Sequence, residues 1–215
     1  MKRPKSLEKI RKKRLSLAGI MIVASVSAFT QAKSGLENYN YMSSGQAYSW
    51  MPVAHYQAKK GYYAELRYNY EDIKTVSFYS GKTFYAGKEK QISIIPMIGL
   101  SAGTFTGVSV ACKAEAEAGL FFFSTEFQFS QNMKKTDGSF IFSWSEAGIN
   151  FFESGFAGLA MQTTFQNGER LIEPGVVAGF SAGKVTVPLY LFNVFEKGKW
   201  FLLGINYEFQ IKKKK

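Results

Sequence analysis

Over residues 117–211, apolar and polar positions alternate in segments of about ten residues separated by turn residues, the period-2 pattern of strands with one greasy face. The last segment is the clearest. Phe201, Leu203, Ile205, Tyr207, Phe209 and Ile211 fall on one side, and Leu202, Gly204, Asn206, Glu208 and Gln210 on the other. Phe121, Phe123, Thr125, Phe127 and Phe129 likewise oppose Ser124, Glu126, Gln128 and Ser130. Nearer the N-terminus, Tyr62, Ala64, Leu66, Tyr68 and Tyr70 oppose Glu65, Arg67 and Asn69, and in each clear segment the charges keep to one side.

The pattern predicts strands at 47–58, 61–71, 73–85, 90–101, 104–114, 117–130, 139–151, 155–166, 171–182, 184–195 and 199–211. Their breaks carry turn chemistry such as Ala102-Gly103, Asn167-Gly168 and Lys197-Gly198. Links this short leave no room for crossovers, so most neighbouring strands are antiparallel. Strands of this length suit a membrane, whose hydrocarbon is crossed by about 9–11 tilted residues. A spanning sheet must satisfy its own edges, which predicts an antiparallel up-and-down transmembrane β-barrel.

Eleven strands conflict with the even number expected when both chain ends lie in the periplasm. A further strand near 37–44 makes twelve, and discarding a weak segment makes ten; twelve is the main expectation. Placing the C-terminus in the periplasm puts the longest predicted link, 131–138, outside. Pro52, Pro96, Pro174 and Pro188 fall inside predicted strands, where each removes a ladder donor. In 139–151 the apolar phase switches from Phe140, Phe142 and Trp144 to Ala147, Ile149 and Phe151, which suggests a bulge near Ser145. Tyr48, Trp50, Tyr68, Tyr70, Tyr85, Trp144, Tyr190, Trp200 and Tyr207 lie mainly toward strand ends, as an interfacial aromatic girdle requires.

The first 32 residues read as a cleaved secretory signal peptide: eight basic residues up to Arg14, an apolar run over 15–29, then Thr30-Gln31-Ala32. The run is shorter than the roughly 20 residues of a spanning helix. Cleavage is expected after Ala32, with Ala28 as the alternative. Residues 33–46 then form an N-terminal segment that includes the possible first strand, 47–211 the barrel, and 212–215 a basic tail.

The chain carries 27 basic and 16 acidic residues, but residues 33–211 hold 15 of each. The excess positive charge belongs to the export segment and the tail, so it gives no warrant for a nucleic-acid partner. Cys112 is the one cysteine, which excludes an intramolecular disulfide, and it reads as a small apolar filler. No metal-ligand spacing, phosphate loop or nucleophile elbow is present, and no cofactor is expected.

Residues 47–211 resemble the small outer-membrane β-barrel proteins of Gram-negative bacteria, a likeness of pattern that fixes a class. The final strand, 200–211, resembles the assembly signal of that class, although Ile211 and four lysines close the chain where a terminal aromatic is usual. The resemblance implies residence in the outer membrane as a monomer, with membrane lipid and, during biogenesis, the barrel-assembly machinery as partners. Some members of the class modify lipids with a histidine and a serine or carboxylate. Here the mature chain offers His55 alone.

On the polar face the residues that point to function are Glu65, Arg67, Lys113, Glu126, Glu173 and Glu208. Opposite charges in a small lumen either pair to fill it or set the ion preference of a narrow pore. The expected function is a structural or narrow-pore role without catalysis. A lipid-modifying enzyme using His55 and a secreted lipocalin-like carrier of an apolar ligand are the alternatives.

Overall fold

A computed structural model describes residues 32–43, 48–87, 91–134, 138–152, 154–195 and 198–211. The expected signal peptide, apart from Ala32, and the 212–215 tail lie outside the described residues.

The described strands are β1 (Ala32–Ser43), β2 (Ser49–Gln57), β3 (Tyr62–Tyr68), β4 (Val76–Lys82), β5 (Phe84–Ala86), β6 (Ile92–Ala102) and β7 (Gly107–Ala118). They continue with β8 (Phe121–Asn132), β9 (Phe140–Phe151), β10 (Gly155–Gln166), β11 (Glu169–Ala182), β12 (Val185–Phe192) and β13 (Trp200–Ile211). All neighbours are antiparallel, and β1 pairs with β13 along its whole length, from Ala32↔Ile211 to Ser43↔Trp200. The sheet is a closed barrel, with no free edge to expose unpaired backbone to lipid.

Thirteen strands make twelve staves. β4 and β5 lie against β6 in one register, Gly81↔Met97 and Phe84↔Ile94, so they are a single stave interrupted opposite Pro96. The missing proline N–H removes the rung there. The other strand prolines follow the same rule. Pro52 lies one residue past the last β2–β3 rung, Val53↔Arg67, and Pro174 one past the last β11–β12 rung, Gly175↔Phe192. Pro188 lies in the gap between Thr186↔Asn206 and Leu189↔Leu203. Its ring fills the space where Gly204 has no side chain, since a Cβ there would come within 2.6 Å of the Pro188 Cγ. None of the four therefore needs a bulge.

The bulge expected near Ser145 is absent. β9 keeps one register with β8, from Phe121↔Ile149 to Ser130↔Phe140, and one with β10. The phase switch has another cause: Phe140, Phe142 and Trp144 point inward on an unbroken strand. The extra strand expected near 37–44 is β1, which starts as early as Ala32.

The two rims differ. Both described termini, Ala32 and Ile211, share one rim with the shorter links, including the two-residue turns 119–120 and 183–184. The opposite rim carries 69–75, 133–139 and 193–199, so three links of equal length replace the single long one expected at 131–138. β3 ends early because Asn69 and Lys74 adopt positive φ, and Asn69 closes the loop through its N–H to the Thr75 carbonyl. Asn167-Gly168, both at positive φ, makes the tight hairpin between β10 and β11.

Sidedness holds around the circumference. Ile98 and Leu159, both outward, are 69% and 68% exposed, whereas Glu65 and Arg67, inward, are each 1% exposed. Every acidic residue of the described strands falls on the inward parity. Two basic side chains, Lys82 and Arg170, fall outward. Both lie within a few residues of a rim, where a long side chain reaches the headgroup region, and Lys82 lies beside the Tyr62 and Phe84 rings. Cys112 is free, partly exposed and on the outward parity of β7.

Candidate functional site: the lumen

Alternation puts every second side chain of each stave into the lumen, and the inward set differs between two walls. On the wall built from β3, β4, β7 and β8, Arg67 is the centre. Its guanidinium bonds the Glu65 carboxylate, lies 2.8 Å from Glu126 and 3.8 Å from Glu71, and donates to Gln128 at 3.1 Å. Tyr70 and Tyr79 hold their rings over it at 4.3 and 4.2 Å. Lys113 reaches the same Glu65 and lies 3.7 Å from Glu126. Tyr63 donates its hydroxyl to Glu65, and Ser77 and Tyr79 donate theirs to Glu71. Each buried charge thus has a partner of opposite sign, the condition under which charges tolerate desolvation.

The wall from β9 round to β1 and β2 is aromatic. Phe192 stacks on Trp200 at 4.1 Å, Tyr41 lies 4.8 Å from the same ring, and Trp144 meets Tyr190 and Phe192 edge-on at 5.2 and 5.1 Å. Carboxylates set into this wall accept from neutral donors. Glu146 takes the Trp144 indole N–H and, at 2.9 Å, the Tyr190 hydroxyl. Glu173 takes Trp200 at 2.8 Å, Gln162 at 2.9 Å and Asn193 at 3.2 Å. Glu37 accepts from Tyr39 at 2.8 Å and lies 3.1 Å from His55 Nδ1.

Trp144, Tyr190 and Trp200 therefore belong to the lumen and not to the interfacial girdle expected of them; Trp200 is 4% exposed. Tyr85 also turns inward, accepting from Gln57, and Tyr70 packs on Arg67. Tyr48 and Trp50 remain exposed, Trp50 in edge contact with Tyr68.

Between the walls lies a cavity of about 970 Å³. It reaches from Asp72, Thr104 and Gln166 at the long-link rim to Glu115, Thr186 and Glu208 near the terminal rim. A second cavity of about 280 Å³ shares Glu115, Ser124 and Phe156 with it and continues to Glu117 and Asn150. Phe122 and Phe156, in edge contact at 6.0 Å, stand at that junction. The Phe122 ring lies against Gly148, where a Cβ would come within 2.7 Å of it.

Of the six residues singled out in the sequence, Glu65, Arg67, Lys113 and Glu126 meet in one network, while Glu173 stands on the aromatic wall and Glu208 on the lining nearer the terminal rim. Glu37, Glu71 and Glu146 are lumen residues that pattern reading missed, whereas Gln128 was placed on the polar face without being singled out. Glu146 had a signal: it shares parity with Phe140, Phe142 and Trp144, and the supposed bulge broke that continuity. His55 packs over Gly35 and stacks on Tyr63 with ring centres 6.1 Å apart. Among the described residues, no group of three or more potential ligands could hold a metal ion.

No protein-family model matches the sequence, and no curated protein matches it. Solved structures do match. The KdgM porin superposes with a TM-score of 0.60 over 82% of this chain and 99% of that one, at 11% identity. The chain has a porin's fold. KdgM in complex with disordered oligogalacturonate gives 0.62 at 11% identity over the same shares. The NanC porin gives 0.61 at 10% identity, covering 80% of this chain and 98% of that one. The likeness thus takes in nearly all of each porin's barrel, and the twelve-stave architecture expected from the pattern stands.

Proposed function

We propose that this protein is a monomeric outer-membrane β-barrel that acts as a narrow, non-enzymatic passage for small hydrophilic solutes. The observation that carries the proposal is the cavity itself, which runs from one rim of the lumen to the other with carboxylates and other polar side chains along its length. The apolar outer belt supports lipid as its solvent, and the shared fold with KdgM and NanC supports passage as its work. A secreted carrier would have to leave that belt in water, at a cost of about 25 cal/mol per Å² of apolar surface. The ends of the barrel are assigned by length: termini and short turns to the periplasm, longer links to the exterior. Insertion by the barrel-assembly machinery follows from that placement. The Glu173 and Glu146 carboxylates, together with the Arg67 network, line and shape the conduit.

His55 is read as a filler of the β1–β2 face, held by Glu37 and Tyr63. Replacing it with alanine is expected to leave the lipid profile of the membrane unchanged.

The test is conductance. Purified protein that migrates in its folded, heat-modifiable form should give discrete current steps in a planar bilayer. Folded protein that inserts and passes no current would overturn the passage reading and leave a structural role.

A further inference from the structure

The charge of the lumen is unbalanced even though the chain from 33 to 211 is not. Nine carboxylate side chains line the main cavity, and among the described residues Lys113 is its one basic lining residue. Lys113 is already engaged by Glu65 and Glu126, and Arg67 behind it by Glu65, Glu71 and Glu126. That network alone holds three carboxylates against two cations. Across the lumen, neither Glu146 nor Glu173 has a lysine or arginine within 4 Å among the described residues, and the same is true of Glu208. The Glu146 and Glu173 oxygens meet N–H and O–H dipoles instead, which hold a carboxylate in place without cancelling its charge.

From this we infer that the conduit prefers cations, and that Glu146 and Glu173 on the aromatic wall, with Glu208 nearer the terminal rim, set the preference. The inference rests on the passage reading and names its substrate class. Carboxylates lining a low-dielectric passage concentrate ions of opposite sign and repel those of like sign. The rings of Trp144, Tyr190 and Trp200, which line the same cavity, suit the same choice, since an aromatic face attracts an organic or hydrated inorganic cation and not an anion. The contrast with the fold's other members is one of chemistry. Oligogalacturonate, bound by KdgM, is a chain of carboxylate sugars, and a polyanion of that kind would find no unengaged basic side chain on this lining.

Reversal potentials of the purified wild-type protein in planar bilayers under a tenfold KCl gradient give the sign directly. A potassium-to-chloride permeability ratio above about five is expected for a narrow acidic conduit. Proteoliposome swelling extends the test to organic solutes, where glucosamine should enter several-fold faster than galacturonate, with glucose between them. Replacing two lining carboxylates, as Glu146→Gln with Glu173→Gln, should lower the ratio about twofold or more, with heat-modifiable migration confirming that the variant is folded. Currents with a ratio of one or less would overturn the charge inference and leave the passage reading standing. Absence of both current and swelling would sink the two together. A folded double variant with an unchanged ratio would remove the assignment to these two residues. The wild-type measurement decides the sign whatever the variants do.

Discussion

The two walls of the lumen follow the same alternation and fill it by opposite means. The wall of β3, β4, β7 and β8 turns Glu65, Arg67, Lys113, Glu126 and Gln128 inward and closes on itself by ion pairing. The wall from β9 to β13 and β1 turns rings inward and closes by stacking, with carboxylates held by indole and phenol donors. One wall obtains cohesion from charge and the other from apolar burial. What separates them is the consequence of removing a single member: the first leaves naked charge, the second an empty volume.

Arg67→Ala should have the largest effect. It strips the shared cation from Glu65, Glu71 and Glu126, and breaking a buried ionic network of this kind costs about 3–5 kcal/mol. Urea titration of protein refolded in lipid vesicles, read by the heat-modifiable band, would register the loss, and near-wild-type stability would mean that water already enters this network. Trp200→Ala removes the ring between Phe192 and Tyr41 together with a donor to Glu173, and a loss of about 3 kcal/mol is expected from the cavity left behind. If the aromatic wall lost nothing, it would be loose lining and not a core.

The outer faces should not share this difference. Leu159→Arg behind the aromatic wall and Phe127→Arg behind the charged wall should each cost about 2–4 kcal/mol, because both positions meet lipid near mid-strand. Unequal costs in the same titration would show that one wall leans on something other than lipid. Phe122→Ala, at the junction of the two cavities, should leave stability within about 1 kcal/mol for a partly exposed ring and raise single-channel conductance about twofold by widening a constriction. Unchanged conductance would move the narrowest point elsewhere. Pro188→Ala should change least, under about 1 kcal/mol, since the interrupted β12–β13 ladder can regain at most one bond.

Much of this architecture was legible because sidedness is a local property. Along Tyr62 to Tyr68, whether a side chain faces oil or lumen depends on parity alone, and Glu65 and Arg67 betray the inside at once. Legibility fails where the inside is itself apolar. In β12 the sequence VTVPLYLF is greasy on both faces, and in β9 the inward Phe140, Phe142 and Trp144 imitated a bulge. The girdle reading of Trp144, Tyr190 and Trp200 failed for the same reason: an aromatic near a strand end satisfies an interface and a lumen equally well by pattern. Nothing in local sequence says that Tyr190 on β12 will meet Glu146 on β9, or that Arg67 will meet Glu126, because those partners are 44 and 59 residues apart.

By itself the sequence determined that this is a sheet of membrane-length antiparallel strands with one apolar face, because a two-residue period and short links leave no other arrangement that lipid tolerates. That β1 and β13 are the strands that close the expected barrel, that its staves number the expected twelve and not the alternative ten, and that the lumen divides into an ion-paired wall and a ring-lined wall with excess negative charge were decided only in three dimensions. Each of these depends on which distant strands become neighbours, and electrostatic and packing energies are set by separation in space, to which distance along the chain is blind.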